Sequence, residues 1–391
     1  MDTNQHESAF LKKLLDGAKV EWVPLGEVAE IKRGKRLTKS QLEATGKYAV
    51  YQNCMTPLGY YHESNVDYDT AFIICAGAAG EIGYSDVNFW AADDVYYFKK
   101  NRRLSSKYLY HFLLTQQHIL LSRVRRASIP RLSKTSFSKI PIPIPCPENP
   151  EKSLAIQGEI VRILDRFTEL TTELTTELTT ELNARKKQYN YYRDQLLSFK
   201  DGDVEWKTLG EIAENRDSKR KPITSGSREP GEIPYYGASG IVDYVKGFIF
   251  DGDYLLVSED GANLIARNTP IAFSIHGKSW VNNHAHVLEF NTYAERKYVE
   301  YYLNSIDLTP YISGAAQPKL NKKNLNSIGI PSPPLEEKKR IVAILDKFDT
   351  LTHSISEGLP REIELRRKQY EYYRDLLLNF PKPEEKTEVM A

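Results

Sequence analysis

The sequence is poor in several features that would have narrowed its chemistry. Only three cysteines occur in 391 residues, Cys54, Cys75 and Cys146, and none has C-x-x-C spacing. That argues against a disulfide framework or a cysteine-built zinc site and fits a reducing compartment. Neither sign of charge is in excess, with 53 Lys+Arg against 52 Asp+Glu, so any charge argument must be local. No run of about 18 apolar residues appears, and the opening MDTNQHESAFLKKLLDGAKVEW lacks the basic-then-apolar order of a signal peptide. The expectation is a soluble, cytoplasmic chain with no membrane association, long enough for two or three domains.

Catalytic signatures are also scarce. GAAGEIG (Gly77–Gly83) follows an apolar stretch but is spaced G-x-x-G-x-x-G, not G-x-G-x-x-G, and reads as a structural turn. HGKS (His276–Ser279) has Ala272 where a phosphate-binding loop needs its first glycine. NNHAH (Asn282–His286) puts His284 and His286 on one face of a strand, where two histidines alone seldom make a site. Asp93-Asp94 lacks the third acid or basic partner of a nuclease centre, and no Asn-Pro-Pro-Tyr-like run of an adenine methyltransferase occurs. By elimination the chain is expected to catalyse nothing alone and to hold neither a metal nor a cofactor.

What is present is internal duplication. RKKQYNYYRDQLLSF (Arg185–Phe199) returns as RRKQYEYYRDLLLNF (Arg366–Phe380), identical at 11 of 15 positions at an offset of 366 − 185 = 181. The same offset carries IVRILDRF (Ile160–Phe167) onto IVAILDKF (Ile341–Phe348). Looser pairs are EWVPLGEVAEI (Glu21–Ile31) with EWKTLGEIAEN (Glu205–Asn215), and IPRLSKTSFSKIPIPIPCP (Ile129–Pro147) with QPKLNKKNLNSIGIPSPPL (Gln317–Leu335). The chain is a tandem of a variable and a well-matched stretch. LLDGAKVEW (Leu14–Trp22) also resembles LLSFKDGDVEW (Leu196–Trp206), as if a ring had been cut open, which suggests pseudo-two-fold symmetry with neighbouring termini. The divisions are 1–20, 21–147, 148–200, 201–334, 335–381 and a tail at 382–391.

The matched stretches read as long helices. Asn149-Pro150 looks like an N-cap followed by proline at the first helical position. Within the first lies TELTTELTTELTTEL, placing Leu170, Leu174, Leu178 and Leu182 four apart. A strict four-residue repeat drifts about 40° per step around a helix of ~3.6 residues per turn. Leu351, Ile355, Leu359 and Ile363 form the aligned ladder of the second copy, so the two helices could pack antiparallel over matched spans. Gly358 and Pro360 interrupt that copy, where a kink or a restart with Pro360 as a first helical residue is expected. Tyr189, Tyr192, Tyr370 and Tyr373 offer large apolar faces near the helix ends, as a partner interface would.

The variable stretches alternate Tyr, Val, Ile and Phe with Gly, Asn and Asp, as short strands and turns do. Each closes with one amphipathic helix (SSKYLYHFLLTQQHILLSRV, AERKYVEYYLNSI), a basic loop and a proline-rich strand. The fold class is α+β with irregular sheets. Basic residues cluster at the same two places in each. The first stretch carries Lys32, Arg33, Lys35, Arg36 and Lys39, then Arg123, Arg125, Arg126, Arg131 and Lys134. The second carries Arg216, Lys219, Arg220 and Lys221, then Lys319, Lys322 and Lys323. Basic loops beside Tyr, Asn and Gln supply what phosphate positioning and base-edge readout need.

With its two variable domains, each followed by a matched helix, and with PIPIPCPENPEKSLAIQGEIVRILDRF and PSPPLEEKKRIVAILDKF at the junctions, the chain resembles the specificity subunit of Type I restriction–modification enzymes. The tetrapeptide run points to the Type IC-like branch. The resemblance spans nearly the whole chain and is specific in the helices, weak in the variable domains. It implies two target recognition domains joined by an antiparallel helix pair. It also implies a non-catalytic subunit that reads a bipartite duplex DNA site. The family's partners are two methyltransferase subunits using S-adenosylmethionine and two motor-nuclease subunits using ATP and Mg2+. The repeat then reads as a ruler, each tetrapeptide adding ~6 Å and ~40° of helix, against 3.4 Å and ~35° per DNA base pair. Two other readings stay open on the residues alone: a non-DNA scaffold holding two partners, and an enzyme with an unrecognised site.

Overall fold

The computed structural model describes residues 9–200, 202–314, 317–354 and 356–381, so the first eight residues, Ile355 and the tail at 382–391 lie outside the described residues. The chain divides into two compact units, 1–177 together with 363–391, and 178–362.

In the first unit, strand Val20–Pro24 leads in and strand Pro141–Pro145 leads out, paired antiparallel from Val20↔Pro145 to Pro24↔Pro141. The exit strand has this one partner, which suits a proline-rich strand that lacks three ladder donors. Between them a four-stranded antiparallel sheet runs in the spatial order Ile31–Arg33, Val95–Phe98, Thr70–Ile74, Ile82–Ser85. A three-stranded sheet places Tyr48–Tyr51 between Gly59–Tyr61 and Trp90–Ala91, the last pairing being parallel. Helix Ser106–Thr115 presents Tyr108, Leu109, Phe112 and Leu113 to the core, capped by Ser105. The expected single amphipathic helix is two, because the chain turns at Gln116 before Gln117–Ser122.

The second unit repeats this plan at low sequence similarity. Its lead-in Glu205–Thr208 pairs with Gly329–Ser332, and its main sheet runs Glu214–Asn215, Ala285–Glu289, Tyr254–Ser258, Ala272–Ile275. The second sheet again contains one parallel pairing, Pro230–Gly237 with Lys278–Val281.

One continuous helix, Pro150–Leu197, carries the tetrapeptides. Its start is capped as the sequence indicates, with Asn149 Oδ1 accepting the Lys152 amide at 3.0 Å. Within the first unit its early turns bury Ile156, Ile160 and Leu164, and Asp165 takes Lys107 at 2.8 Å and His111 at 3.1 Å. The duplicate residue in the second unit, Asp346 of helix Leu335–His353, instead accepts hydroxyls from Tyr293 and Tyr301 at 2.9 and 2.6 Å. One aspartate position thus anchors each domain's own helix, with different partners.

The leucine ladder is largely open. Leu170 is 47% exposed, and Leu174, Leu178 and Leu182 are only half-buried. A repeat that drifts by ~40° per step cannot keep one stripe inward. The second ladder is broken rather than matched. Leu335–His353 ends before Ser354, Ile355 lies outside the described residues, and a new helix Gly358–Leu377 carries Leu359 and Ile363. Gly358 has φ +79°, and a Cβ there would fall 2.4 Å from the Thr350 carbonyl, so only glycine allows this restart. Pro360 is the third residue of the new helix, not the first.

Segments near both ends of the described residues share the first unit's core. Leu11 and Leu15 are buried in the same cluster as Leu377, Leu378 and Phe380, and the Trp22 indole donates to the Pro381 carbonyl at 2.8 Å. In the second unit the equivalent core positions are filled from within, by Leu197 with Leu196 and Phe199.

Candidate nucleic-acid interface

In the first unit the two basic segments, about ninety residues apart, meet at one end of the main sheet. Strand Thr70–Ile74 ends at Cys75, whose carbonyl accepts the Leu132 amide at 2.9 Å. The chain from 125 to 131 forms a small hairpin closed by Arg125 N to Arg131 O, 2.8 Å, and Arg131 N to Arg125 O, 3.1 Å. Lys134 Nζ reaches back to the Ile31 carbonyl at 3.1 Å, tying this segment to the strand that carries Lys32 and Arg33. Burial pushes the Cys75 thiol up to about 11, partly offset by the charges of Arg33 and Arg131, so it stays neutral.

The loop that follows strand Ile31–Arg33 is held rigidly. The Lys35 amide donates to the Ala91 carbonyl at 2.9 Å, and the Trp90 indole donates to the Lys35 carbonyl at 2.9 Å. At Gly34 a Cβ would lie 2.2 Å from the Ala92 carbonyl, so the close approach requires glycine. Arg33 Nε donates to the Asp93 carbonyl at 2.6 Å, and Arg123 Nη1 to the Ser136 carbonyl at 2.6 Å. Lys32 is paired with Glu30 at 2.5 Å. Lys35, Arg36, Lys39, Arg125, Arg126 and Arg131 are exposed and carry no ion pair among the described residues.

The second unit builds the same frame. The Trp280 indole donates to the Lys221 carbonyl at 2.6 Å, and Lys221 N reaches the Val281 carbonyl at 3.4 Å. A hairpin closes by Ser313 N to Lys319 O and Lys319 N to Ser313 O, both 2.8 Å, and Leu320 N donates to the Glu259 carbonyl at 2.7 Å. The tryptophan clamps escaped the sequence reading. The faint signal was the pair NFWAADDV and KSWVNNHAHV, each a tryptophan just before a polar turn and a strand.

The charges differ between the two faces. Where the first unit has neutral Cys75, the second has Glu259, which takes Arg220 at 2.6 Å and Lys319 at 3.2 Å. Arg220 also meets Asp217 at 3.3 Å and donates to the Ala285 carbonyl at 2.8 Å, and its side chain is only 13% exposed. Arg216 is held by Glu289 and Glu214, both at 2.5 Å. Arg216 and Arg220 are therefore engaged in ion pairs within the fold, and the half-exposed Lys319 is paired with Glu259. Lys219, Lys221, Lys322 and Lys323 remain exposed without an ion pair among the described residues.

His286 is the centre of this network. Its Nδ1 lies 2.6 Å from Asp217 and its Nε2 2.7 Å from the Leu320 carbonyl, so both ring nitrogens face acceptors. Burial would raise the Asp217 carboxyl, but the His286 hydrogen bond and charge and the Val287 amide outweigh it and hold it below its ordinary value. Glu259 is likewise lowered, the bonds and charges of Arg220 and His286 overcoming burial. Asp217, Glu259 and His286 could converge on a cation, but Arg220 already occupies the space between the two carboxylates. His284, expected on the same strand face, sits instead in the preceding turn beside Asp260 at 2.9 Å.

The other motifs resolve as turns. Gly77 and Gly80 have φ +79° and +96°, and strand Ile82–Ser85, not a helix, follows. Gly277, φ +70°, turns between strands Ala272–Ile275 and Lys278–Val281.

The four helix tyrosines are spent partly on internal packing. Tyr373 stacks on Phe167 and Tyr370 accepts from Thr168 in the first unit. Tyr192 stacks on Phe348 and Tyr189 is buried against Phe348 and His353 in the second. The outward tyrosines are their neighbours Tyr191 and Tyr372, 62% and 63% exposed.

Two domains of one plan, each ending in a helix and each presenting two clamped basic loops, define a duplicated nucleic-acid reader. Residues 18–184 and 202–365 each match the Type I restriction modification DNA specificity domain, and the chain belongs to that family. It is 40% identical to the Escherichia coli specificity subunit of the Type I restriction enzymes EcoR124I/EcoR124II, over 97% of this chain and 98% of that one. It is 36% identical to a putative Type I restriction enzyme specificity subunit of Haemophilus influenzae, over 96% of this chain and 100% of that one. Its fold is shared by the Type I S subunit of M. genitalium, with TM-score 0.51, 18% identity and coverage of 94% and 98%. A chain solved in a study of Type I complex assembly and conformational transition gives TM-score 0.60 at 16% identity, covering 92% and 97%. The chain is thus a DNA-recognition subunit of a restriction–modification complex, and the catalysis of such complexes belongs to other subunits. No helix among the described residues is long and apolar enough to cross a membrane.

Proposed function

We propose that residues 21–147 and 201–334 are two target recognition domains, each reading one half of an asymmetric bipartite duplex site. The observation that supports this best is the repeated frame with unlike residues. Trp90 clamps Lys35 and Trp280 clamps Lys221 in the same way, yet the side chains displayed around them differ. Two faces of common geometry and different chemistry suit two different half-sites.

In this reading the exposed cations Lys35, Arg36, Lys39, Arg125, Arg126, Lys219, Lys221, Lys322 and Lys323 position phosphates. The helical stretches 148–200 and 335–381 space the half-sites, as in a Type IC-like system, and dock two methyltransferase subunits. Tyr191 and Tyr372, with the partly exposed Tyr192 and Tyr373, are the apolar surface available for docking. Two motor-nuclease subunits complete the assembly in the cytoplasm. S-adenosylmethionine, ATP and Mg2+ are used by those partners and not by this chain.

The test is to map methylated adenines in DNA from cells carrying the full system, alongside salt-dependent binding of the methyltransferase complex to the mapped duplex. One asymmetric bipartite sequence, bound with a steep salt slope, is the expected result. Stable assembly with the partners but no sequence-selective DNA binding would replace it with a scaffold role.

A further inference from the structure

In the first unit, residues 52–58 join strands Tyr48–Tyr51 and Gly59–Tyr61, and this loop is fixed through its backbone. The Leu58 amide donates to the Val50 carbonyl at 2.8 Å, the Ala78 amide to the Asn53 carbonyl at 2.9 Å, and the Ala92 amide to the Tyr51 carbonyl at 2.9 Å. Gly77 lies so close that a Cβ on it would fall 2.7 Å from the Asn53 carbonyl oxygen, and its φ of +79° is a backbone that suits glycine.

The same bonds tie the loop to both basic segments. Gly77 N donates to the Pro130 carbonyl at 3.2 Å, and its neighbour Ala76 bridges to Arg131. Tyr51 pairs with Ala91, whose carbonyl accepts the Lys35 amide at 2.9 Å. Asn53 is therefore fixed both to the loop that carries Lys35 and Arg36 and to the hairpin that carries Arg125, Arg126 and Arg131. All five cations are exposed and make no ion pair among the described residues.

Asn53 itself is exposed, and its carboxamide makes no hydrogen bond with a described residue. The frame does not need it. In the second unit the Tyr236 carbonyl accepts the Asn282 amide at 3.0 Å as Tyr51 accepts Ala92, so Ala238 stands where Asn53 does. There too the backbone is pinned, by the Ser258 hydroxyl donating to the Ala238 carbonyl. A carboxamide offers a donor and an acceptor side by side, the pattern that engages adenine N7 and N6 bidentately in the major groove. The cations around it supply phosphate contacts, which hold a duplex in register and carry no sequence information.

We propose that Asn53 reads an adenine edge in the half-site bound by the first domain. The assignment rests on the DNA-recognition reading above and adds a residue that specifies a base, where its cationic neighbours hold phosphate. The second domain, with alanine at the equivalent position, makes no such contact. A backbone-held loop positions a reading side chain without committing the fold to one sequence.

The experiment uses the full complex with its methyltransferase subunits and a library of duplexes randomised at each position of the mapped site. Asn53→Ala is expected to relax one A·T position of one half-site, with discrimination there falling about five- to hundredfold and every other position unchanged. Asn53→Asp, which keeps the acceptor and loses the donor to N7, should turn against adenine at that same position. Binding to non-specific duplex, measured on the same preparations, should stay at the wild-type level and shows that the variants are folded. Unchanged base preferences would overturn the proposal, as would relaxation at a G·C position. A uniform loss across all sequences would overturn it too, because that marks a phosphate-contacting or structural role. If the wild-type complex itself selects no bipartite site, it is the underlying DNA-recognition reading that fails.

Discussion

Phe167 lies flat against Tyr373, ring centroids 5.4 Å apart and planes 3° from parallel. Shifted by the duplication offset, 348 − 167 = 181, the same contact recurs as Phe348 on Tyr192, at 5.5 Å and 27°. Each unit thus pairs the start of one matched stretch with the end of the other, running antiparallel. The pairing sits outside the tetrapeptides, in the segments whose sequence the duplication preserved.

A double-mutant cycle of Phe167→Ala and Tyr373→Ala should give a coupling of about 0.5–1.5 kcal/mol beyond the loss of buried area. The cycle on Phe348 and Tyr192 should give a similar value. Denaturant unfolding reads both. A coupling near zero at both pairs would mean that the stacking follows from the packing and adds nothing to it.

The cations fall into two kinds that mutation should separate. Lys35→Ala with Arg36→Ala should weaken DNA binding uniformly across sequences and lower the salt slope by about 0.9 for each phosphate that is no longer neutralised. Arg220→Ala should act on the fold instead, because Asp217 and Glu259 lose a nearly buried partner. The expected cost is about 3 kcal/mol, the low end for breaking a buried pair, since His286 and Lys319 still face the carboxylates. Thermal unfolding and a salt titration of binding distinguish the two effects.

Acid should loosen the second domain before the first. Asp217 and Glu259 titrate below their ordinary values of 3.8 and 4.5. Lowered native values mean that the unfolded chain binds more protons in this window. The stabilisation is complete above about pH 4.5 and is lost as pH falls through the native values. Hydrogen exchange in strand Tyr254–Ser258 should therefore speed up on acidification more than in strand Thr70–Ile74, whose end carries neutral Cys75. Asp217→Asn should flatten that dependence. Equal responses in the two strands would remove the network from the account of acid stability.

Deleting Thr179–Leu182 takes one tetrapeptide from a continuous helix whose leucines there are only half-buried. Stability should change little. Residues beyond the deletion move back along the helix by ~6 Å and turn by ~40°. The expected outcome is the same two half-sites with the gap shortened by one base pair, matching the ~35° of one DNA step. Sequencing of methylation sites decides this: an unchanged gap reduces the repeat to filler, and altered half-site bases would mean that the helices shape the readers.

The duplication, the capped start of the long helix and the paired positions of the basic loops were all legible, because each is written in short runs of sequence that can be read or compared directly. Two things were not. Strand Val95–Phe98 pairs with Ile31–Arg33 and Thr70–Ile74, and such distant pairings leave little trace in short irregular strands. The neutralising partners were equally hidden: Arg220 meets Glu259 and Arg216 meets Glu289, carboxylates that only the folded sheet brings near. A count of basic residues along the sequence therefore overstated the positive face of the second domain. The break in the second ladder was legible at Gly358, though the restart begins at that glycine and not at Pro360.

The first unit's core takes Leu11 from near one end of the chain and Phe380 from near the other, whereas the second is drawn from the unbroken span 178–362. During translation the second unit has all its residues first, and the domain made earliest must wait for the last helix to leave the ribosome. A nonsense codon or frameshift shortly before Leu377 would thus spare the domain beside it in sequence and leave the amino-terminal one exposed to proteases. Loss of Leu377, Leu378 and Phe380 would take three buried side chains from the first unit's core and none from the second.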